Sequence, residues 1–291
     1  MTDARELLGV RLSSPDKILY AEQGITKSEL ADYYVAVADR MLPHVARRPI
    51  TLVRCPVGAE KKCFYQRHAA SGVLPQFSEV AIPGFDEPYL YLEDAAGLVA
   101  AVQMGTLELH PWGATVERTG RPDRLIFDLD PSEGLGFDAV VAAALDVRDR
   151  LAALGLTTFV KTTGGKGLHV VLPIEPDTEW RAAKAFSKAL AELMSQERPD
   201  LYLARISKAE REGRIFIDYL RNDPTSTAVG PYSTRSRPGA PVSLPIHWDQ
   251  VTPGLDPSAF NLRTVPQLIA AAADPWAEIS KVRQKLPALP S

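Results

Sequence analysis

Two stretches decide how this chain is read: RLIFDLD (124–130) and TTFVKTTGGKGLHVVLPI (157–174). The first is a β-rich run closed by Pro131 and Gly134. The second splits into two such runs, TTFVKTT and LHVVLPI, on either side of a GGKG turn. Apolar runs of this length bounded by Gly and Pro predict strands. Between them, FDAVVAAALDVRDRLAALG (137–155) has helical spacing and a closing Gly155, which predicts a helix. TEWRAAKAFSKALAELMSQE (178–197) predicts a second helix, and RIFIDYL (214–220) a third β-like run. Strands alternating with helices imply an α/β or α+β sheet domain.

Outward from this centre the pattern is looser. ITKSELADYYVAVADRML (25–42) predicts an amphipathic helix capped by Thr26, with Leu30, Tyr33, Tyr34, Val37 and Met41 at helical spacing. ITLVRC (50–55) predicts a strand, and 56–93 predicts loops and short strands. A helix is expected around Val265–Ala273, and the ending LPALPS (286–291) reads as a linker. A chain of 291 residues suffices for one large domain or two small ones.

Composition sets limits. Hydrophobic residues make up 45% and charged residues 24%, as in ordinary soluble globular chains. No run of about 18 apolar residues is present, so no membrane span is expected. MTDARELLGV (1–10) has two acids and no apolar core, unlike a secretory signal; the cytoplasm is the expected compartment. Cys55 and Cys63 are too few for a disulfide framework and read as reduced thiols. A zinc site combining them with His68 fits no common spacing. The net charge of −3 does not suggest a nucleic-acid binder. Locally, however, Arg47, Arg48, Arg54, Lys61, Lys62 and Arg67 face the single acid Glu60. Either a solvated loop or a phosphate-facing surface accounts for that.

The chemistry centres on Asp128-Leu129-Asp130. Residues two apart on a strand share a face, so the two carboxylates project together. Their repulsion is relieved by a cation, and oxygen donors suit Mg²⁺ or Mn²⁺. A solvated acidic turn is the bland alternative. Asp218 sits between Ile217 and Tyr219. An acid in an apolar strand needs a partner, which Arg214 or Arg221 could be, or an ion. Three acids could hold two ions that activate a hydroxyl and stabilise a leaving pyrophosphate. TGGKGLH (163–169) is not a Walker loop: no Ser or Thr follows its Gly-Lys pair and a strand follows the turn. Its glycines and Lys166 could still approach phosphates; a plain hairpin turn is the alternative. His110 and His169 stand at strand ends. Arg235 and Arg237 lie in a loop without acids, where forked donors suit triphosphate oxygens.

The order of His110, D-x-D, the Gly-Gly-Lys-Gly-x-His turn, a strand aspartate and an Arg-x-Arg loop resembles the archaeo-eukaryotic primase superfamily. It is closely similar to the polymerase domain of bacterial ligase D. LSSPDKILY (12–20), GITKSEL (24–30), RPITLVRCPVG (48–58), CFYQRH (63–68) and DYLRNDPTSTAVGPYSTRSRPGAPVS (218–243) carry the likeness across nearly the whole chain. The resemblance implies a catalytic core with a sheet like that of RNA-recognition modules (116–261). It also implies an N-terminal α/β part that binds DNA ends (1–115), and C-terminal helices with a tail (262–291). It makes Asp128, Asp130 and Asp218 the catalytic metal ligands. His110, Thr163, Lys166, His169, Arg221, Arg235 and Arg237 match positions around the incoming nucleotide. Phe64 and Tyr65 match an aromatic pair that stacks on template DNA. Ser14, Lys17 and Lys27 match a pocket for the 5′-phosphate of a broken end. Thr163 stands where a serine is common, and Ser14 where some members have asparagine. The implied activity is primer extension and gap filling from NTP or dNTP in non-homologous end joining. It prefers ribonucleotides, favours manganese over magnesium, and acts with the Ku protein and with ligase and phosphoesterase modules in the bacterial cytoplasm and nucleoid. Neither module is visible here, and no K-x-D-G ligase motif occurs. The competing readings are a non-catalytic nucleic-acid-binding module, a D-x-D glycosyltransferase and a DNA primase.

Overall fold

The computed structural model describes residues 4–70, 72–205 and 211–287. The first three residues of MTDARELLGV and the last four of LPALPS lie outside the described residues. The chain forms two compact units. They interleave along the sequence instead of following the three consecutive stretches 1–115, 116–261 and 262–291. One unit takes 1–112, 229–244 and 258–274, and the other takes 113–228, 245–257 and 275–291.

The first unit opens with two hairpins, β1 (Arg5–Leu7) with β2 (Val10–Leu12) and β3 (Ile18–Tyr20) with β4 (Ile25–Thr26). Helix α1 (Lys27–Val45) follows. The Thr26 hydroxyl accepts from the Glu29 backbone N–H at 3.1 Å, which is the cap that the sequence predicts. Leu30, Tyr33, Tyr34, Val37 and Met41 are all buried along one stripe of this helix. β5 (Ile50–Arg54) and β6 (Phe64–Gln66) come next. After them stand the hairpin of β7 (Phe77–Val80) and β8 (Tyr89–Leu92), helix α2 (Ala95–Gln103) and β9 (Thr106–Pro111). An antiparallel sheet runs in the order β6-β5-β9.

One expectation fails here. Cys55 and Cys63 are joined in a disulfide, with Cα atoms 4.3 Å apart, and are not reduced thiols. Arg54 pairs with Phe64 across β5 and β6, so the next residue outward on each strand is a cysteine facing a cysteine. Spacing alone cannot show this, because the pairing depends on strand register. His68 is not joined to them: its Nδ1 lies 3.0 Å from the Pro88 carbonyl.

The second unit is built on the stretches that opened the sequence reading. Its elements are β10 (Arg124–Pro131), α3 (Phe137–Ala153), β11 (Phe159–Thr162), β12 (Leu168–Pro173), α4 (Trp180–Glu197), β13 (Tyr202–Leu203), β14 (Ile215–Asp218) and β15 (Pro245–Ile246). They form a six-stranded sheet in the order β13-β14-β10-β12-β11-β15. Every pair is antiparallel except β13 with β14. Leu125, Phe127 and Leu129 alternate along β10 and are fully buried. Both α3 and α4 pack on the sheet. Burying such side chains stabilises the unit by about 2 kcal/mol each. On the face of Ile126, the residues Val171, Phe159, Trp276 and Ile279 form a small apolar cluster. The chain after Trp276 is tied to the sheet: the Gln284 amide donates to Thr157 and Pro173 carbonyls at 2.8 and 2.6 Å. The expected C-terminal helix is α5 (Val265–Ala271), part of the first unit. Among the described residues no helix is long and apolar enough to cross a membrane.

Candidate active site

The alternation of β10 puts Ile126, Asp128 and Asp130 on one face. Asp128 is directly opposite His169 of β12 on one side and Asp218 of β14 on the other. His169 in turn faces Lys161 of β11. Residues directly opposed across a sheet share a face. Lys161, His169, Asp128 and Asp218 therefore form one polar row across four strands. Lys161 and His169 are almost completely buried, and Asp218 is 8% exposed.

The electrostatics of the row follow from that burial. His169 Nε2 lies 3.3 Å from Asp128 Oδ1. Burial, and then the Lys161 charge, bring the imidazole down to about 4, so it is neutral at pH 7. Burial alone would raise the Asp128 carboxyl, but His169 beside it, and then the Arg221 and Lys161 charges, hold it well below the usual carboxylate range. Asp128 is thus ionised, and His169 donates to it through Nε2. The other ring nitrogen, Nδ1, is buried with no hydrogen-bond partner among the described residues. Asp218 goes the other way: burial raises it, Arg221 opposes this, and the Asp128 charge adds to the rise. Arg221 Nε sits 3.5 Å from Asp128 and 3.2 Å from Asp218. Asp130, further out, is half exposed and pairs with Arg211 at 2.9 Å.

Two local devices fix this geometry. After Asp218 the chain leaves the sheet, and the Asn222 side chain continues its ladder. Asn222 accepts from Ile126 N–H at 2.7 Å and donates to Ile126 C=O at 2.9 Å. The turn from Thr163 to Gly167 is the second. A Cβ on Gly167 would stand 2.4 Å from the Leu129 carbonyl, so only glycine lets this backbone lie against β10 between the two aspartates. The Thr163 hydroxyl donates to the Gly167 carbonyl at 3.1 Å and closes the turn. Lys166 is exposed at its tip and lines a cavity of about 260 Å³ with Ser132, Leu135 and Gly165.

Among the described residues, no three His, Cys, Asp or Glu side chains converge as a ready-made ion cage. Arginines hold the carboxylates instead. The donor set nevertheless suits a hard cation: oxygen ligands on one face, one of them ionised and its neighbour pushed up by burial and by that same charge.

The first unit holds a second polar cluster. Glu108 of β9 is 4% exposed. Its Oε2 takes His110 Nε2 at 2.7 Å and Arg235 Nε at 2.9 Å. Its Oε1 takes the Ser236 N–H at 2.8 Å and the Ser236 hydroxyl at 2.6 Å. Burial would raise this carboxyl, but the His110 hydrogen bond and the Arg235 charge bring it to about 2. Arg237 is exposed on the same loop.

Also in the first unit, Lys17, Lys27, Arg54 and Gln103 line a cavity of about 270 Å³. Lys27 Nζ donates to the Ser13 carbonyl at 2.8 Å. Burial, then Lys17, lower its pKa. The Lys17 ammonium donates to the Pro56 carbonyl. Ser14 is not among the residues lining this cavity; it turns the chain, with φ of 50°, and its carbonyl accepts from Lys17 N–H. Phe64 and Tyr65 are 43% and 71% exposed on the edge strand β6, with the Arg54 guanidinium 5.3 Å from the Phe64 ring centre. The basic run does not act as one surface. Arg47 pairs with Glu93 at 2.6 Å, Arg48 is buried, and Lys61, Lys62 and Arg67 are exposed.

The family described as LigD, primase-polymerase domain, matches residues 26–276. The chain belongs to the LigD primase-polymerase domain family. It is 36% identical over 285 residues to the multifunctional non-homologous end joining protein LigD of Pseudomonas aeruginosa, covering 96% of this chain and 34% of that protein. The Mycolicibacterium smegmatis protein of the same name is 34% identical over 259 residues, covering 87% of this chain and 34% of that one. The bifunctional LigD of Bacillus subtilis is 27% identical over 279 residues, covering 96% of this chain and 45% of that one. The chain thus spans a third to a half of these relatives. Its fold matches a solved polymerase domain of Mycobacterium tuberculosis ligase D in complex with DNA. The TM-score is 0.86 with 32% identity, covering 94% of this chain and 98% of that one.

For a LigD primase-polymerase domain, two residues here escaped the sequence reading. Lys161 was legible as a charge inside the apolar run TTFVKTT (157–163). Glu108 was legible as the residue two before His110, hence on its face, between the apolar Leu107 and Leu109.

Proposed function

We propose that this chain is a template-dependent nucleotidyltransferase that extends primers and fills gaps at DNA double-strand breaks during non-homologous end joining. The observation that supports this best is the row itself: Asp128 opposite Asp218, with Asp130 on the same face, beside a glycine turn packed on the Leu129 carbonyl. Asp128, Asp130 and Asp218 would hold divalent cations, Mn²⁺ or Mg²⁺. Bound there, such ions supply Lewis-acid activation of a primer 3′-hydroxyl and neutralise a leaving pyrophosphate. The residues do the rest. Asp128 stays ionised, and arriving positive charge would offset the burial and the Asp128 repulsion that raise the Asp218 carboxyl. Neutral His169 donates through Nε2 and keeps its ring fixed. Lys166 offers a cation at the tip of a turn held by Thr163, and Arg221 neutralises the acid pair before ions enter. His110, Arg235 and Arg237 bind the triphosphate, a role supported by the family resemblance and by the fork geometry of arginine.

Lys17 and Lys27 would take the 5′-phosphate at the far side of a gap, and Phe64 and Tyr65 would stack on the template. A preference for ribonucleotides, use of manganese, cooperation with Ku, and fusion to ligase and phosphoesterase modules are further parts of this reading, supported by the resemblance. Cytoplasmic, nucleoid-associated work follows from the same reading.

The test is extension of a labelled gapped DNA carrying a 5′-phosphate or a 5′-hydroxyl, with each of the eight nucleotides, with Mg²⁺ or Mn²⁺, at one fixed salt. Template-directed addition, greater with ribonucleotides and Mn²⁺ and tighter binding of the phosphorylated gap, is expected. Absence of any templated addition overturns the reading.

A further inference from the structure

Glu108 is a buried carboxylate whose acceptor capacity is taken up by four donors from three residues. Two of those residues, His110 and Arg235, are candidates for contact with the triphosphate; the third, Ser236, is Arg235's neighbour. A buried carboxylate with four such bonds is held in one place. It therefore dictates the placement of what it binds. Facing an ionised carboxylate, His110 Nε2 must carry its proton, so the tautomer of the ring is set. Arg235 is gripped at Nε, the stem-side nitrogen of its fork, which fixes the plane of the guanidinium. Ser236 is pinned through both its backbone N–H and its hydroxyl. The backbone helps: Arg235 N–H donates to the Pro241 carbonyl at 2.9 Å, and the Tyr20 hydroxyl donates to the Arg235 carbonyl at 2.9 Å. The loop is thus tied at main chain and side chain around one carboxylate.

Burying a carboxylate is costly unless every lone pair is used. Here that investment lands on the two side chains whose orientation a triphosphate would sense. We infer that Glu108 is a positioning residue for nucleotide addition, acting through His110 and Arg235 by fixing the imidazole tautomer and the guanidinium plane before substrate arrives. The inference rests on the polymerase reading given above.

The experiment compares the full chain with Glu108→Gln in templated addition, measuring kcat and KM for the nucleotide, affinity for gapped DNA, and melting temperature. Gln keeps the shape, loses the charge and points an N–H₂ group at donors. The expected result is a loss in kcat/KM of roughly ten- to a hundredfold, the scale of a misplaced group, with DNA affinity unchanged. On an Arg235→Ala background the same substitution should cost clearly less, because part of its route is already gone. Glu108→Asp, which keeps the charge but is one methylene shorter, should fall between. If the unmodified chain adds nothing, the polymerase reading falls and this inference with it. If it is active and Glu108→Gln matches it, or the two losses simply add, the inference alone is overturned. Should Glu108→Gln melt below the assay temperature, Ser236→Ala carries the test. It removes one donor and keeps the backbone bond, and a severalfold loss is expected; unchanged kinetics there overturns the inference.

Discussion

The two polar clusters solve opposite problems. In the second unit, Asp128 and Asp218 are held opposite each other and share one guanidinium, and the Asp218 carboxyl is pushed up by burial and by its neighbour's charge. In the first unit, Glu108 has four donors and sits at about 2. One arrangement leaves the Asp218 charge short of partners, as a cation site requires. The other satisfies its charge and passes rigidity to its donors. Burial alone does not distinguish them, since both are mostly buried. The count of donors per carboxylate does.

The largest effect should come from breaking the first arrangement. Asp128→Ala and Asp218→Ala should each lower nucleotide addition on the order of a thousandfold, since a lost metal ligand removes several kcal/mol of charge stabilisation. Stability should hardly suffer in Asp218→Ala, whose carboxyl is raised in the fold, while Asp128→Ala should also lose the stability that a depressed carboxylate contributes. Asp218→Asn keeps the acceptor for Leu220 N–H at 2.8 Å and ends the repulsion with Asp128. Its melting temperature in chelator should equal or exceed that of the unmodified chain. Added Mn²⁺ should raise the melting temperature of the unmodified chain, by linkage, and leave the variant unmoved. A Mn²⁺ shift of equal size in both proteins would remove Asp218 from the ligand set.

Glu108→Gln should show the reverse balance, with stability lost along with activity. The folded-state carboxyl lies at about 2 against an ordinary value of 4.5. A depressed carboxylate stabilises the fold above its unfolded pKa and loses that contribution as pH falls toward its folded pKa. The contribution at pH 7 is on the order of 3 kcal/mol. The melting difference between the two proteins should therefore be full above about pH 4.5 and shrink between there and about pH 2. A difference constant across that range would show that Glu108 is not held by charge.

These predictions also mark what the sequence could show. Strands, helices and the shared face of Asp128 and Asp130 were legible because period and punctuation are local. The Thr26 cap and the Gly155 stop, with φ of 76°, were legible for the same reason. What escaped depends on register between distant strands. The Cys55–Cys63 bond, Lys161 beside His169 and Glu108 as the hub for Arg235 all require knowing which residue faces which. The interleaving of the two units was hidden too, because 229–244 and 258–274 carry no composition shift to mark their return to the first unit.

Gly167→Ala perturbs only the row. The added Cβ meets a backbone carbonyl at 2.4 Å, and neither partner is a flexible side-chain end. The turn must move off Leu129, at a cost of about 1–3 kcal/mol. Addition should fall because Lys166 and the two aspartates shift with it. Wild-type melting and activity in this variant would mean that the turn is not braced on β10.

The smallest effect, and the sharpest for the comparison, is expected from Lys161→Met. Lys161 is almost fully buried at one end of the row and faces His169 across β11 and β12. After burial, its charge is what most lowers the His169 imidazole, which stands at about 4 against an ordinary 6.5. Methionine fills similar space without the charge. Burial still acts in the variant, so His169 should rise only part of the way toward 6.5. A base depressed in the folded state is neutral there while the unfolded chain takes up a proton. The native chain therefore loses stability as pH falls from about 6.5 to about 4. The variant should lose less over that window. An NMR titration of the His169 ring in metal-free protein reads the shift directly. A His169 titration unchanged in Lys161→Met would mean that burial alone keeps the ring neutral, and that the row is two separate pairs and not one coupled line.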